Sequence, residues 1–197
     1  MPVISRILPL VLLSAALPAS AQHAVDHAPS PYAGEQTREI ASLSDEDLAE
    51  LARGGGWGLA RSAELNGVPG PAHLLELAHE IGLDAEQQAA IEAIRDEMRA
   101  GAITAGERFV EAERALDAAF TDGFPDAATL AGLVAEAGEA RASLRLVHLS
   151  AHLRTMPLLT QDQIARYAVL RGYADDPCDS VPEGHDATMW RRHNGCS

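Results

Sequence analysis

Residues 84–156 constrain the chain more than any other stretch. Ile91, Ile94, Met98, Ala102, Ala105, Phe109, Ala112, Leu116 and Phe120 recur every three or four residues, the spacing that lines side chains along one side of an α-helix. The stripe runs for about ten turns. Thr121-Asp122-Gly123-Phe124-Pro125 stops it, and after Asp126 a second stripe follows through Leu130, Leu133, Ala137, Ala140, Leu144, Val147 and Ala151 until Pro157 ends it. A short turn between two such helices makes them antiparallel neighbours, because neither apolar side can be buried alone. The fold class expected is all-α, a long antiparallel helical hairpin with short flanking helices.

The flanking pieces are read from caps and breakers. Ser44, three residues before Asp47, is a helix cap with Leu43 and Leu48 placed as its apolar staple. That helix should reach Arg53, where Gly54, Gly55 and Gly56 interrupt it. Residues 57–65 can resume as helix before Asn66-Gly67 and Pro69-Gly70-Pro71 force a turn, and a short helix over 72–81 ends at Gly82. A last helix opens at Thr160 and stops at Gly172.

The ends of the chain set its compartment. Arg6, the apolar run over 7–17 and the small-residue site Ala19-Ser20-Ala21 have the anatomy of a cleaved secretory signal. Its apolar core is short for a membrane span. The expectation is an exported, periplasmic protein cut near Ala21, without membrane insertion. Residues 22–43 mix Pro, Gly and polar residues without period and read as a flexible leader; its His23 and His27 read as solvated. Residues 44–172 form the helical domain, and 173–197 an acidic tail. The tail holds both cysteines, Cys178 and Cys196, which in an oxidising compartment can pair across a short loop; two free thiols or an intermolecular bridge are the alternative.

Charge excludes several classes. The formal net charge is −14, a poor match for nucleic acid or an anionic membrane. All 15 basic residues are Arg, so a P-loop, a Schiff-base lysine and a Ser-Lys hydrolase are absent together. No Gly-x-Ser-x-Gly elbow occurs, and Glu111 and Glu113 fall on different helix sides. The chain does not read as an enzyme.

Two helix starts share one pattern. In Leu159-Thr160-Gln161-Asp162-Gln163 the Thr160 hydroxyl can accept from the Gln163 amide, the Gln163 side chain can reach back to Thr160, and Leu159 can pack on Ile164. Leu83-Asp84-Ala85-Glu86-Gln87 repeats the arrangement with Asp as the cap and Gln88 at the staple position. Placed before the hairpin and before the final helix of an exported helical chain, the two boxes resemble the paired Leu-Thr-x-x-Gln motifs of the Spy/CpxP family, periplasmic helical-hairpin proteins. The resemblance covers about residues 72–172; Asp84 stands where the family has Thr or Ser, and the leader, the Trp57 region and the tail lie outside it. It implies a homodimeric cradle acting as an ATP-independent envelope-stress chaperone or adaptor, with unfolded or partner envelope proteins as its partners. The family's best-known chaperone has a basic cradle, and this chain is acidic. Arg95, Arg99, Arg108 and Arg114 with Arg141, Arg145 and Arg154 could form a local basic strip for clients, or pair with neighbouring Glu residues on solvated sides.

A second function is open. His148, His152 and Met156 lie one helical turn apart, and His-x-x-x-His is a two-ligand clamp for Zn, Ni or Cu that a thioether would tilt toward copper. His152-x-x-x-Met156 resembles the His/Met ligand pair of CnrX-type sensors, and with the family's metal-binding relatives ZraP and CnrX this implies a heavy-metal sensor or buffer. His73, Glu76, His79 or Glu80 could complete the site. The plainer alternative places His148 at the border of the apolar stripe as a packed imidazole and Met156 as filler at the hairpin's end.

Overall fold

The structure is a computed structural model that describes residues 28–196. The expected secretory signal over 1–21, and His23 and His27, lie outside the described residues. Among these residues there is no β-strand, only an isolated bridge between Ile40 and Leu43. Residues 28–34 belong to a unit of their own, where the Ala33 amide donates to Ser30 O at 2.9 Å. Everything described below lies in the second unit, residues 35–196.

That unit is helical: a 3-10 turn Glu35–Thr37, α1 Asp45–Ala52, α2 Arg61–Glu64, α3 Pro71–Glu76, α4 Ala78–Ile81, α5 Ala85–Thr121, α6 Ala127–Thr155, a 3-10 turn Met156–Leu158, α7 Gln161–Leu170 and α8 Ala187–His193. Helices α5 and α6 pack on each other along the expected hairpin, and α1 and α3 pack on α5. The helix starts follow from local chemistry. Ser44, Asp84 and Thr160 each accept the amide of the third helical residue, which returns its own side chain to the cap amide; Asp126 caps α6 through the Thr129 amide. None of the described helices is long and apolar enough to cross a membrane.

Two clusters hold the unit together. One gathers Ile40, Leu43, Leu51, Leu59, Ala102, Phe109 and Leu144; the other gathers Leu74, Ile81, Leu83, Ile91 and Tyr167. Burial of side chains of this size supplies about 1.5–3 kcal/mol each against the entropy of ordering the chain. Of the α5 stripe, Ile91, Ile94, Ala102, Phe109 and Ala112 are buried, whereas Phe120, near the turn, is 52% exposed.

The ordered domain begins earlier than the sequence suggests. Ile40 and Leu43, placed in the flexible leader by composition, are 0% and 2% exposed. The segment that carries them is tied to α5: Ser42 Oγ donates to Glu113 Oε2 at 2.6 Å, the Ala41 amide to Asp117 Oδ1 at 3.4 Å, and Arg114 pairs with Glu39 at 3.0 Å. Two large apolar side chains and three polar ties outweigh the leader's weak intrinsic order.

Two short helices also differ. Of residues 57–65 only Arg61–Glu64 is helical, because Trp57 takes φ +43 between Gly54 at +71 and Gly58 at +66, values no right-handed helix accepts. The helix expected over 72–81 is split at Leu77, which leaves helical geometry (φ −104, ψ 15). The two pieces turn Leu74 and Ile81 into one cluster. In the tail, Cys178 and Cys196 form a disulfide, and Trp190 within that loop donates to O of Pro177, just before it, at 2.8 Å.

Candidate functional site

The loop between α1 and α2 is built around Trp57. Its backbone amide donates to Glu50 Oε1 at 2.8 Å and its indole Nε1 to Asp47 Oδ1 at 2.7 Å. The ring lies 5.4 Å from Phe109, with the Arg141 guanidinium 5.1 Å from its centroid, within cation–π reach. Asp47 is held below the usual carboxylate range, first by the Ser44 hydroxyl and then by the indole. Gly54 lets the loop press against α5, since a Cβ there would lie 2.8 Å from Arg99 O. A non-glycine residue held at positive φ by this many contacts is a mark of a built site.

Beneath Trp57 lies an open cavity of about 670 Å³ with mainly apolar walls, bounded by Glu50, Arg61, Glu64 and Pro71 from the short elements, Met98 and Arg99 from α5, and His148 and His152 from α6. Both histidines are buried, at 2% and 6% exposure. They sit there because α6 turns its 144–148–151–155 side toward α5 and the short helices.

The two imidazoles have different surroundings. His152 Nδ1 donates to Val68 O at 2.8 Å, and Thr155 Oγ1 donates to Pro69 O at 2.7 Å, so the last turns of α6 fasten the loop ahead of α3. A carbonyl partner requires the proton on Nδ1 and leaves Nε2 of the neutral ring with its lone pair. That edge lies against Gly70, where a Cβ would stand 2.6 Å from His152 Nε2. His148 Nε2 is buried without any hydrogen-bond partner. Burial, then the proximity of His152, pushes the His148 pKa down, against a smaller pull from Glu50. Nearby, the Tyr167 hydroxyl donates to both oxygens of Glu64, at 2.9 and 2.7 Å; burial, then that carboxylate, raises its pKa.

The residues proposed for a metal are divided between places. The cavity gathers His73, His148 and His152. His73 Nδ1 lies 2.9 Å from Glu76 Oε2, while Glu76 and His79 border a different groove with Gln88. Glu80 is exposed, and Met156, in the turn after α6, is half-buried. Among the described residues no three His, Cys, Asp or Glu side chains are placed to hold a metal ion together. The thioether that shares the cavity with the two histidines belongs to Met98.

The basic strip also divides. Arg95 binds Asp96 at 2.8 Å and Arg154 binds Glu97 at 2.7 Å. Arg114 bridges Glu39 and Glu111. Arg99 donates from Nε to Arg53 O, and Arg145 reaches Ser62 Oγ at 3.4 Å. Arg141 and Arg145 border a second groove together with Trp57, Arg61 and Leu65. Arg108 is exposed on α5.

The glutamines of the two boxes meet. Gln87 Nε2 donates to Gln163 Oε1 at 2.9 Å and to Leu158 O at 2.7 Å, and Gln163 Nε2 donates to Gln87 Oε1 at 2.9 Å and to Gly82 O at 3.1 Å. At the empty staple position Gln88 Nε2 donates to Leu83 O at 2.8 Å. Sequence reasoning located His148 and His152 but missed Trp57, Glu64, Met98 and Tyr167; the glycine run before Trp57 was the available signal.

Compared with known protein families, curated proteins and solved structures, the chain matches none.

Proposed function

We propose that this protein is an exported helical-hairpin chaperone or adaptor of the Spy/CpxP kind, which holds partly unfolded or partner envelope proteins without nucleotide and works as a homodimer. The observation that carries the reading is an apolar row left open on α6. Leu146 and Leu153, seven residues apart and so on one side of the helix, are 64% and 66% exposed. Leu146 borders a furrow of about 400 Å³ between α5 and α6, whose other walls include Met98, Gly101, Ser143 and the Arg154–Glu97 ion pair. Exposed apolar surface interleaved with charge suits loose, sequence-tolerant contact with polypeptide. The linked Gln87 and Gln163 boxes support the same reading through the family's paired motifs, and the Cys178–Cys196 disulfide suits an oxidising compartment.

The test is suppression of aggregation. Purified protein lacking residues 1–21 should keep an unrelated, chemically denatured client from scattering light at a few-fold molar excess and without nucleotide. The Leu146→Ser/Leu153→Ser variant should lose most of that protection while its thermal unfolding stays within a few degrees of the parent. Client aggregation that proceeds unaltered at ten-fold excess would overturn the reading.

A further inference from the structure

The cavity under Trp57 retains hydrogen-bonding capacity that the fold does not use. Its two carboxylates are engaged by uncharged donors, Glu50 by the Trp57 amide and Glu64 by the Tyr167 hydroxyl. Of its three guanidiniums, Arg95 is paired with Asp96. Arg99 uses only Nε, on Arg53 O, and among the described ion pairs neither Arg99 nor Arg61 has an acidic partner. Both guanidiniums therefore border the cavity with charge that no carboxylate of the described residues neutralises.

His148 supplies the second, independent observation. It is 2% exposed, lines the same cavity, and its Nε2 has no partner. A buried imidazole nitrogen without a partner is unfavourable, and a polar group entering the cavity that this ring lines is one way to supply the missing bond. The remaining walls are mainly apolar, with His73, His152 and Tyr173 among them, and a volume of about 670 Å³ falls in the range of small-molecule sites.

We infer that this cavity binds a small monocarboxylate with an apolar body. Arg99 and the Nε2–H of His148 receive the carboxylate, Arg61 stands at the mouth, and the apolar body lies along Trp57, Met98 and Pro71. A guanidinium matches a carboxylate in charge and fork geometry, whereas a neutral ligand of the same shape would leave both guanidiniums without an anion. Neither Leu146 nor Leu153 lines this cavity, although Met98 borders both it and the furrow beside Leu146.

The chain has two tryptophans, Trp57 and Trp190, and Trp190→Phe leaves Trp57 as the only indole reporter. In that background, octanoate below its micellar concentration should change the Trp57 emission saturably and release measurable heat. Octanol should bind at least ten-fold more weakly. Arg99→Gln, at an exposed position, should weaken octanoate at least ten-fold with octanol unchanged, and His148→Gln should do the same provided its helical signal is intact. Octanol binding as tightly as octanoate, unaltered octanoate affinity in Arg99→Gln, or no saturable response in either measurement would overturn the inference.

Discussion

Gln87 and Gln163 exchange side-chain amides across the base of the hairpin, the Nε2 of each 2.9 Å from the Oε1 of the other. Each oxygen also accepts the amide of its own helix cap at 3.0 Å, from Asp84 and Thr160, and each nitrogen also reaches a carbonyl beside the opposite cap. All four donor and acceptor positions of both amides are filled. Gln87→Leu or Gln163→Leu leaves the partner and a loop carbonyl short of a bond, and each should cost about 1–3 kcal/mol. The double variant should cost less than the two together, because most of the loss is shared. Urea unfolding of the four proteins measures the cycle.

Gly70 has an extended backbone, φ −89 and ψ 152, that any residue could adopt, so its small size is the requirement. A Cβ would stand 2.6 Å from the His152 ring. Gly70→Ala should destabilise the fold by about 1–3 kcal/mol through overpacking. His152→Ala should then cost less in the Gly70→Ala background than in the parent, as paired thermal unfolding curves would record.

Acid should act through His148. Its folded pKa is depressed, chiefly by burial, while the unfolded chain takes up that proton near pH 6.5. The unfolded state therefore binds more protons, and stability falls as pH drops through that range, levelling off below the folded pKa. Above the range His148 contributes no pH dependence. His148→Gln should flatten this part of a plot of Tm against pH between 7.5 and 5.5; an unchanged slope would show that the acid sensitivity arises elsewhere.

The Cys178–Cys196 loop encloses α8; the Trp190 and Arg191 carbonyls accept bonds within it, and the Trp190 indole donates to Pro177 O just before it. Replacing both cysteines by Ser should release the tail locally, with an effect of about 3 kcal/mol on opening that loop by the chain-entropy account. The main melting transition should move little. Hydrogen exchange at Asn194 and Cys196, which donate to Trp190 O and Arg191 O, would rise selectively, the latter read in the Ser variant at the same position.

How much of this was legible follows from how local each signal is. Asp84, Asp126 and Thr160 announce their helices because a cap is satisfied three residues away, and the hairpin stripes repeat often enough to average out exceptions. The leader failed the same test: Ile40 and Leu43 are only two apolar residues, and their burial depends on Phe109, nearly seventy positions on. Trp57 was unreadable as a turn because its φ of +43 is imposed by Asp47, Glu50 and the ring of Phe109. The metal cluster drawn from His73, Glu76, His79 and Glu80 supposed that α3 and α4 would present one continuous edge, and the break at Leu77 divides it. The meeting of Met98 with His148 and His152 depends on the register of α5 against α6, which periodicity leaves open.

The glutamine exchange also gives the hairpin a polarity. One extremity is buckled through two side-chain amides and two loop carbonyls, whereas the other, around Phe124 at 95% exposure, has a cap at Asp126 and little cover. Unravelling should therefore start at Thr121–Asp126 and travel toward the buckle like a zipper run from its free end.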